Sequence, residues 1–326
     1  MNTLAFDRAG SPEEVLQVIE KGKPIPGADE VLVKVLAVPI NPSDIYFIEG
    51  NYRFKPEFPG QTAGLEGTGI VEKAGARVDM PEGTLVAFFS KKTWAEYVLV
   101  SPEELAVLPK DFPVEKAAQF TLNPFTAWGL LEMSHPAPGE WMLLTGANSA
   151  VARIAIQLAR QREVRTIAIV RDIRQAAELK TLGAELVFDI EDIHLSDHIQ
   201  QATAGKGIDV ALESVGGSIV TRIIENMAPF GRLIIYGLVR RDEAAQFFNG
   251  QIVYKNLTIQ GFGVRAFLSN QTKSQRKDMI QGLTEAIGRP SFQLPVAQTF
   301  SWRDFRKALE QNSQSGRPGK ILLKFS

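Results

Sequence analysis

A change of rhythm near Trp141 constrains this chain more than any other feature. From there on, apolar runs of strand length alternate with amphipathic runs of helix length. The apolar runs are Met142 to Thr145, Thr166 to Val170, Leu186 to Phe188, Asp209 to Glu213, Arg232 to Tyr236 and Leu257 to Gly261. Strands that alternate with helices pair in parallel, because each crossover carries the chain back to the same end of the sheet. Val151 to Arg162 and Arg174 to Leu182 read as two of the crossover helices, the second stopped by Gly183. Up to about residue 120 the pattern is instead short β-rich runs broken by Gly and Pro: Val31 to Val38, Gly69 to Glu72, Leu85 to Phe88 and Trp94 to Val100. After about residue 290 it turns β-like again, with Phe292 to Phe300, a short helix from Trp302 to Gln311 and a terminal strand Lys320 to Lys324. The chain therefore reads as α/β, with residues 1–121 and 291–326 forming one discontinuous β-rich domain and residues 122–290 a nucleotide-binding domain inserted into it.

Two cores need material, and 326 residues at 44% hydrophobic supply it. Lys and Arg number 36 against 37 Asp and Glu, a net charge of −1. That balance lacks the electrostatic footprint of nucleic-acid or acidic-membrane binding, so a small-molecule substrate is expected, with no nucleic acid and no membrane as partners. The chain has no cysteine, which removes disulfides, a thiolate nucleophile and Cys-ligated zinc. The longest apolar runs, such as Arg232 to Val239, are strand-sized. Met1 to Asp7 lacks a basic stretch followed by an apolar one, so a cytoplasmic location is expected.

The most informative segment is Leu143 to Ala152, where an apolar strand meets a helix through small residues. A dinucleotide pyrophosphate would sit there, drawn by backbone N–H groups and the positive pole of the helix. Set on the G-x-G-x-x-G template, the three glycine positions fall on Ala147, Ser149 and Ala152, so all three glycines are missing. Ala and Ser remain small, and Asn148 or Ser149 offers a side-chain hydrogen bond. A turn needing positive φ would nevertheless be strained without Gly. An ordinary strand-to-helix turn is the bland alternative.

The end of the next strand bears on the choice of cofactor. An NAD-selective site places an acid about 20 residues past the turn to accept from the ribose 2′-hydroxyl. Arg171 stands in that place, followed by Asp172 and Arg174, and a guanidinium there pairs with a 2′-phosphate. NADPH is thus favoured as cofactor. Asp172 keeps an NADH reading open, and Arg171 and Arg174 also suit solvated positions opening a helix.

Several motifs stand in an order that goes beyond any one of them. They are Asn41-Pro42-Ser43-Asp44, Glu49-Gly50-Asn51-Tyr52, Gly64 to Gly69, Leu122 to Ala127, Glu213-Ser214-Val215-Gly216-Gly217 and Ile235-Tyr236-Gly237. The ordered set resembles the zinc-free reductases of the medium-chain dehydrogenase/reductase superfamily. The nearest pattern is that of mitochondrial-type 2-enoyl thioester reductases, with quinone oxidoreductases next. The resemblance implies a GroES-like β-barrel catalytic domain plus a Rossmann dinucleotide-binding domain. Zinc alcohol dehydrogenases of the superfamily carry a His-Glu pair where this chain has Leu65-Glu66, so no metal is expected. His194 and His198, four residues apart, sit among polar residues in what reads as a surface connection.

With no metal to polarise an alcohol, the resemblance implies hydride delivery from NADPH to an activated C=C bond, in a 2-enoyl thioester or a related α,β-unsaturated carbonyl. Hydride adds at the β-carbon, charge gathers on the carbonyl oxygen, and a proton must reach the α-carbon. A phenol of pKa near ~10 is protonated at neutral pH and can donate it. Tyr52 matches the tyrosine that the family uses for this, with Tyr46 and Tyr236 as rivals and simple packing beside Phe54 and Phe58 as the bland alternative. Cofactor contacts implied by the resemblance fall on Asn123, on Asn148, Ser149, Ala150 and Val151, on Arg171, Asp172 and Arg174, on Tyr236, Gly237, Leu238 and Val239, on Phe262, Gly263, Val264 and Arg265, and on Lys320. Gly263 departs from the bulkier aromatic usual in such relatives. An NADPH:quinone oxidoreductase and a catalytically silent NADPH-binding sensor are the alternatives. Leu257 to Gly261 alternates as an exposed edge would, and a homodimer is expected through it.

Overall fold

The computed structural model describes every residue except Arg241, Ser315 and Ser326. Its chain divides into two compact units, Met1–Leu122 with Leu294–Ser326, and Asn123–Gln293.

The second unit is built on six parallel strands in the order Leu186–Asp189, Arg165–Val170, Trp141–Leu144, Ile208–Glu213, Met227–Ile235, Thr258–Gly261. Numbered along the chain that order is 3-2-1-4-5-6, the doubly wound dinucleotide-binding arrangement. Burial follows position in the sheet. Trp141–Leu144 and Ile208–Glu213, in the middle, are buried at every residue, as strands covered on both faces must be. Thr258–Gly261, at one edge, is exposed at every residue. The strand expected at Arg232 to Tyr236 begins earlier, at Met227. Pro229 and a left-handed Phe230 (φ 61°) interrupt it, and the ladder resumes at Arg232, opposite Val210. The helix expected from Arg174 is a 3-10 turn, Ile173–Gln175, followed by Ala176–Leu182. Asp172 caps that turn and so shortens the α-helix. His194 is the N-cap of the helix Leu195–Ala202 and His198 lies within it, both with exposed side chains on a connection between strands.

The first unit holds a three-stranded sheet, Gln17–Glu20, Asn2–Phe6, Gln61–Thr62, and a seven-stranded one. The latter runs Val296–Ser301, Lys320–Lys324, Val31–Pro39, Gly67–Ala74, Leu85–Phe88, Leu105–Val107, with Tyr97–Val100 also paired to Val31–Pro39. The C-terminal strand joins it in register, Leu323 opposite Val38, so the sequence-distant tail completes the sheet begun by residues 31–39. Phe6, Phe47, Phe88 and Trp94 anchor the core beneath. Phe89, at the end of Leu85–Phe88, is buried as well.

Candidate functional site

In the second unit, Trp141–Leu144 and Ile208–Glu213 lie side by side although two strands and three crossovers separate them in sequence. This is the switch point of the sheet, outside whose carboxyl ends such folds bind ligands. From the first strand, Thr145–Ser149 leads into the helix Ala150–Gln161. The positive φ of this turn falls on Gly146, at 55°. A Cβ there would stand 2.8 Å from Ser214 Oγ. The glycine that the turn requires is therefore present, one residue ahead of the template position. Ala147, Ser149 and Ala152 have negative φ, and the Ala147 and Ala152 methyls are buried, so the strain expected from three missing glycines does not arise. Ser149 caps the helix by accepting from Ala152 N–H at 3.3 Å. Ala150 and Val151 supply the first-turn amides that a helix leaves without intrahelical partners, beside the positive pole of a 12-residue helix.

Beneath the turn, the two central strand ends are tied together by groups that sequence reasoning missed. Glu213 Oε1 accepts from Thr145 Oγ1 at 3.2 Å, from Val215 N–H at 2.6 Å and from Gly216 N–H at 2.8 Å. Thr145 Oγ1 in turn accepts from Ser214 N–H at 2.9 Å. Three buried atoms here have no hydrogen-bond partner among the described residues: Asn148 Oδ1, Glu213 Oε2 and the Tyr236 hydroxyl. The Tyr236 hydroxyl faces Ser214 and Ser149 without a hydrogen bond of normal geometry to either, and burial pushes its phenol up. Buried polar atoms are rarely left unpaired, so the strand ends hold polar capacity that a ligand with hydroxyl and amide groups would complete. These residues fit a dinucleotide. The only advance signal was Glu213 within Glu213-Ser214-Val215-Gly216-Gly217.

Residues 236–240 run against the same strand end, with Tyr236 N–H on Glu213 O at 2.8 Å and Arg240 N–H on Val215 O at 2.7 Å. Gly237 is needed for this approach, since a Cβ would lie 2.6 Å from Ser214 O. Leu238 and Val239 follow with exposed side chains. Asn123 lies in the first turn of the helix Leu122–Ser134. Phe262 continues the sheet through its N–H on Ile235 O at 2.8 Å; its ring packs near Phe267 and against Gly129. Gly263 is the N-cap of the short helix Val264–Ser269, which holds Arg265.

The arginines differ. Ala147 N–H bonds Ile169 O at 3.1 Å, tying the turn to the second strand two residues before Arg171. Arg171 is exposed and makes no hydrogen bond or ion pair among the described residues. Arg174 is engaged with Asp172, Nε to Oδ1 at 2.8 Å and Nη2 to Oδ2 at 2.7 Å.

In the first unit, Tyr52 is half-buried, its ring edge-on to Phe54 with centroids 4.9 Å apart. Tyr46 lies on the helix Pro42–Ile48, partly exposed. Lys320 does not stand alone. Its ammonium donates to Asn41 Oδ1, and Asn41 Nδ2 donates to Glu66 Oε1 at 2.7 Å. Glu66 Oε2 accepts from Leu122 N–H at 2.8 Å and Thr121 Oγ1 at 3.1 Å. Asp44, also buried, takes Asn41 N–H at 2.8 Å on Oδ2, while Oδ1 has no hydrogen-bond partner among the described residues. Burial pushes the Asp44 carboxyl up to about 7 and raises Glu66 as well. It lowers Lys320, which the two acids partly offset. The cluster was foreshadowed only by its separate motifs.

The family model for the alcohol dehydrogenase GroES-like domain matches residues 27–110, and that for zinc-binding dehydrogenases matches residues 150–284. Human mitochondrial enoyl-[acyl-carrier-protein] reductase is 30% identical over 331 residues, covering 99% of this chain and 88% of that protein. The Caenorhabditis elegans enzyme of the same name is 32% identical over 269 residues, 80% of this chain and 77% of that one. The chain belongs to the medium-chain dehydrogenase/reductase superfamily. Among solved structures, a putative NADPH:quinone reductase from Bacillus thuringiensis superposes with a TM-score of 0.91 at 27% identity, covering 100% of this chain and 99% of that one. The first unit of this chain is accordingly GroES-like and the second a Rossmann domain. The chain has no cysteine, and among the described residues no three His, Cys, Asp or Glu converge as metal ligands would.

Proposed function

We propose that this chain is an NADPH-dependent oxidoreductase that reduces activated C=C bonds, with 2-enoyl thioesters as the leading substrate class. One observation carries the cofactor: Arg171, exposed and without an ion pair among the described residues, follows the second Rossmann strand two residues after Ile169, whose carbonyl accepts from Ala147 N–H of a turn that presents amides and a helix pole. The substrate class is supported by relatives named enoyl-[acyl-carrier-protein] reductase across nearly the whole chain. NADPH, when bound, supplies the hydride. The amides of Ala150 and Val151 bind the diphosphate, Arg171 pairs with the 2′-phosphate, and the unpaired atoms of Asn148, Glu213 and Tyr236 complete the polar floor. Tyr52 holds the proton destined for the α-carbon. Lys320, Asn123 and the Phe262 to Arg265 segment are further candidate cofactor contacts.

Quinone reduction is the second reading, supported by the putative NADPH:quinone reductase of Bacillus thuringiensis. A quinone takes hydride at an electron-poor ring and needs no dedicated α-carbon proton donor. Replacing Tyr52 by Phe is therefore expected to lower crotonyl-CoA turnover by about 10²-fold or more while sparing a quinone. Equal losses on both acceptors, or none on either, count against Tyr52. Tight NADPH binding without turnover of any enal, enone, quinone or enoyl-CoA would favour a sensor instead. A cytoplasmic location and a homodimer complete the proposal. Cell fractionation tests the first, and the exposed edge Thr258–Gly261 supports the second. No helix among the described residues is long and apolar enough to cross a membrane.

A further inference from the structure

Two arginines flank Asp172, and the local backbone gives them different roles. Asp172 itself is extended (φ −136°, ψ 100°), and Ile173–Gln175 then form a single 3-10 turn. The turn folds Arg174 back over the acid. Its Nε lies 2.8 Å from Oδ1, its Nη2 2.7 Å from Oδ2, and its backbone N–H 3.1 Å from Oδ1. A carboxylate has about four lone-pair positions, and three donors from one residue take most of them. The Arg174 guanidinium holds the Asp172 carboxyl below the usual carboxylate range.

We infer that Arg174 is a positioning residue that sets cofactor selectivity by masking Asp172, the acceptor a ribose 2′-hydroxyl would need. The inference rests on the NADPH reading above. The mask works on both cofactors. It withholds an acceptor from NADH, and it cancels a negative charge that would repel the 2′-phosphate of NADPH, leaving Arg171 to pair with that phosphate. Because the Arg174 side chain is 87% exposed, water and salt screen the pair, and the effect is a few-fold rather than orders of magnitude.

The test is calorimetric titration of the full chain and its variants with NADPH and with NADH, at low salt and at high salt. Arg174→Gln is expected to reduce the preference for NADPH about three- to fivefold, with tighter NADH binding as part of the change and a smaller effect in high salt. In Asp172→Ala/Arg174→Gln the NADH gain is expected to vanish, because the unmasked acceptor is gone. Arg174→Lys, which keeps the charge but not the fork, should fall between. A loss confined to NADPH, with NADH unmoved, makes Arg174 a phosphate ligand and overturns the inference. An unchanged ratio makes it a bystander and overturns it too, while NADPH binding by the parent chain leaves the broader reading standing. A parent chain that binds neither nucleotide overturns both.

Discussion

Asp44 concentrates the chemistry of this fold at the scale of a single residue. It is fully buried and faces Asn41 N–H, Leu65 N–H, Glu66 and Lys320. Its carboxyl is raised from 3.8 to about 7, so between those values the folded chain holds a proton that the unfolded chain releases. Stability from this group is therefore full below about pH 4 and is lost as pH rises through about 7. Glu66 acts with the same sign and Lys320 with the opposite one. Replacing Asp44 by Asn removes the buried charge while keeping an acceptor for Asn41 N–H. The variant is expected to flatten the fall in melting temperature between pH 5 and 8.5 and to be the more stable form at pH 8, by at least about 1 kcal/mol. Thermal unfolding across that range checks it. A parent chain whose stability rises over the interval would show that Lys320 neutralises the acid outright.

At the scale of elements, the turn from Leu144 to Ala150 carries the account, and its legibility in sequence was mixed. Strand, turn and helix were readable because apolar periodicity switches from two to 3.6 across small residues. The glycine register was not, because a template cannot say which residue takes positive φ; packing against Ser214 decides that for Gly146. Gly146→Val places a branched side chain at φ 55° and into Ser214. It is expected to abolish dinucleotide binding and to destabilise the Rossmann unit by at least about 2 kcal/mol, measured by titration and denaturant unfolding. Ser149→Ala removes only the cap, and a loss of about 1 kcal/mol is expected. The Thr145–Glu213 tie escaped notice for a different reason. It joins residues 68 apart in sequence, and only the parallel pairing of their strands brings them together.

The architecture of the whole molecule was legible: a β-rich unit closed by the C-terminal tail, and a parallel sheet inserted between its parts. What the sequence left out was the three-stranded sheet of Asn2–Phe6, Gln17–Glu20 and Gln61–Thr62, whose short strands carry little alternation and are held by distant pairing. In the second unit, the exposed edge Thr258–Gly261 belongs to the same scale. Placing a charge there, as Ile259→Asp, is expected to convert a homodimer to monomer in analytical ultracentrifugation; a parent chain that sediments as a monomer would refute the pairing. The central claim is that the Rossmann unit takes NADPH through Arg171. Titration of NADPH and NADH into the parent chain and into Arg171→Ala tests it most directly. The parent is expected to prefer NADPH about ten- to a hundredfold, the worth of one charge-assisted hydrogen bond, and the variant to lose that preference. Equal affinities in the parent, or a preference that survives the loss of Arg171, would contradict it.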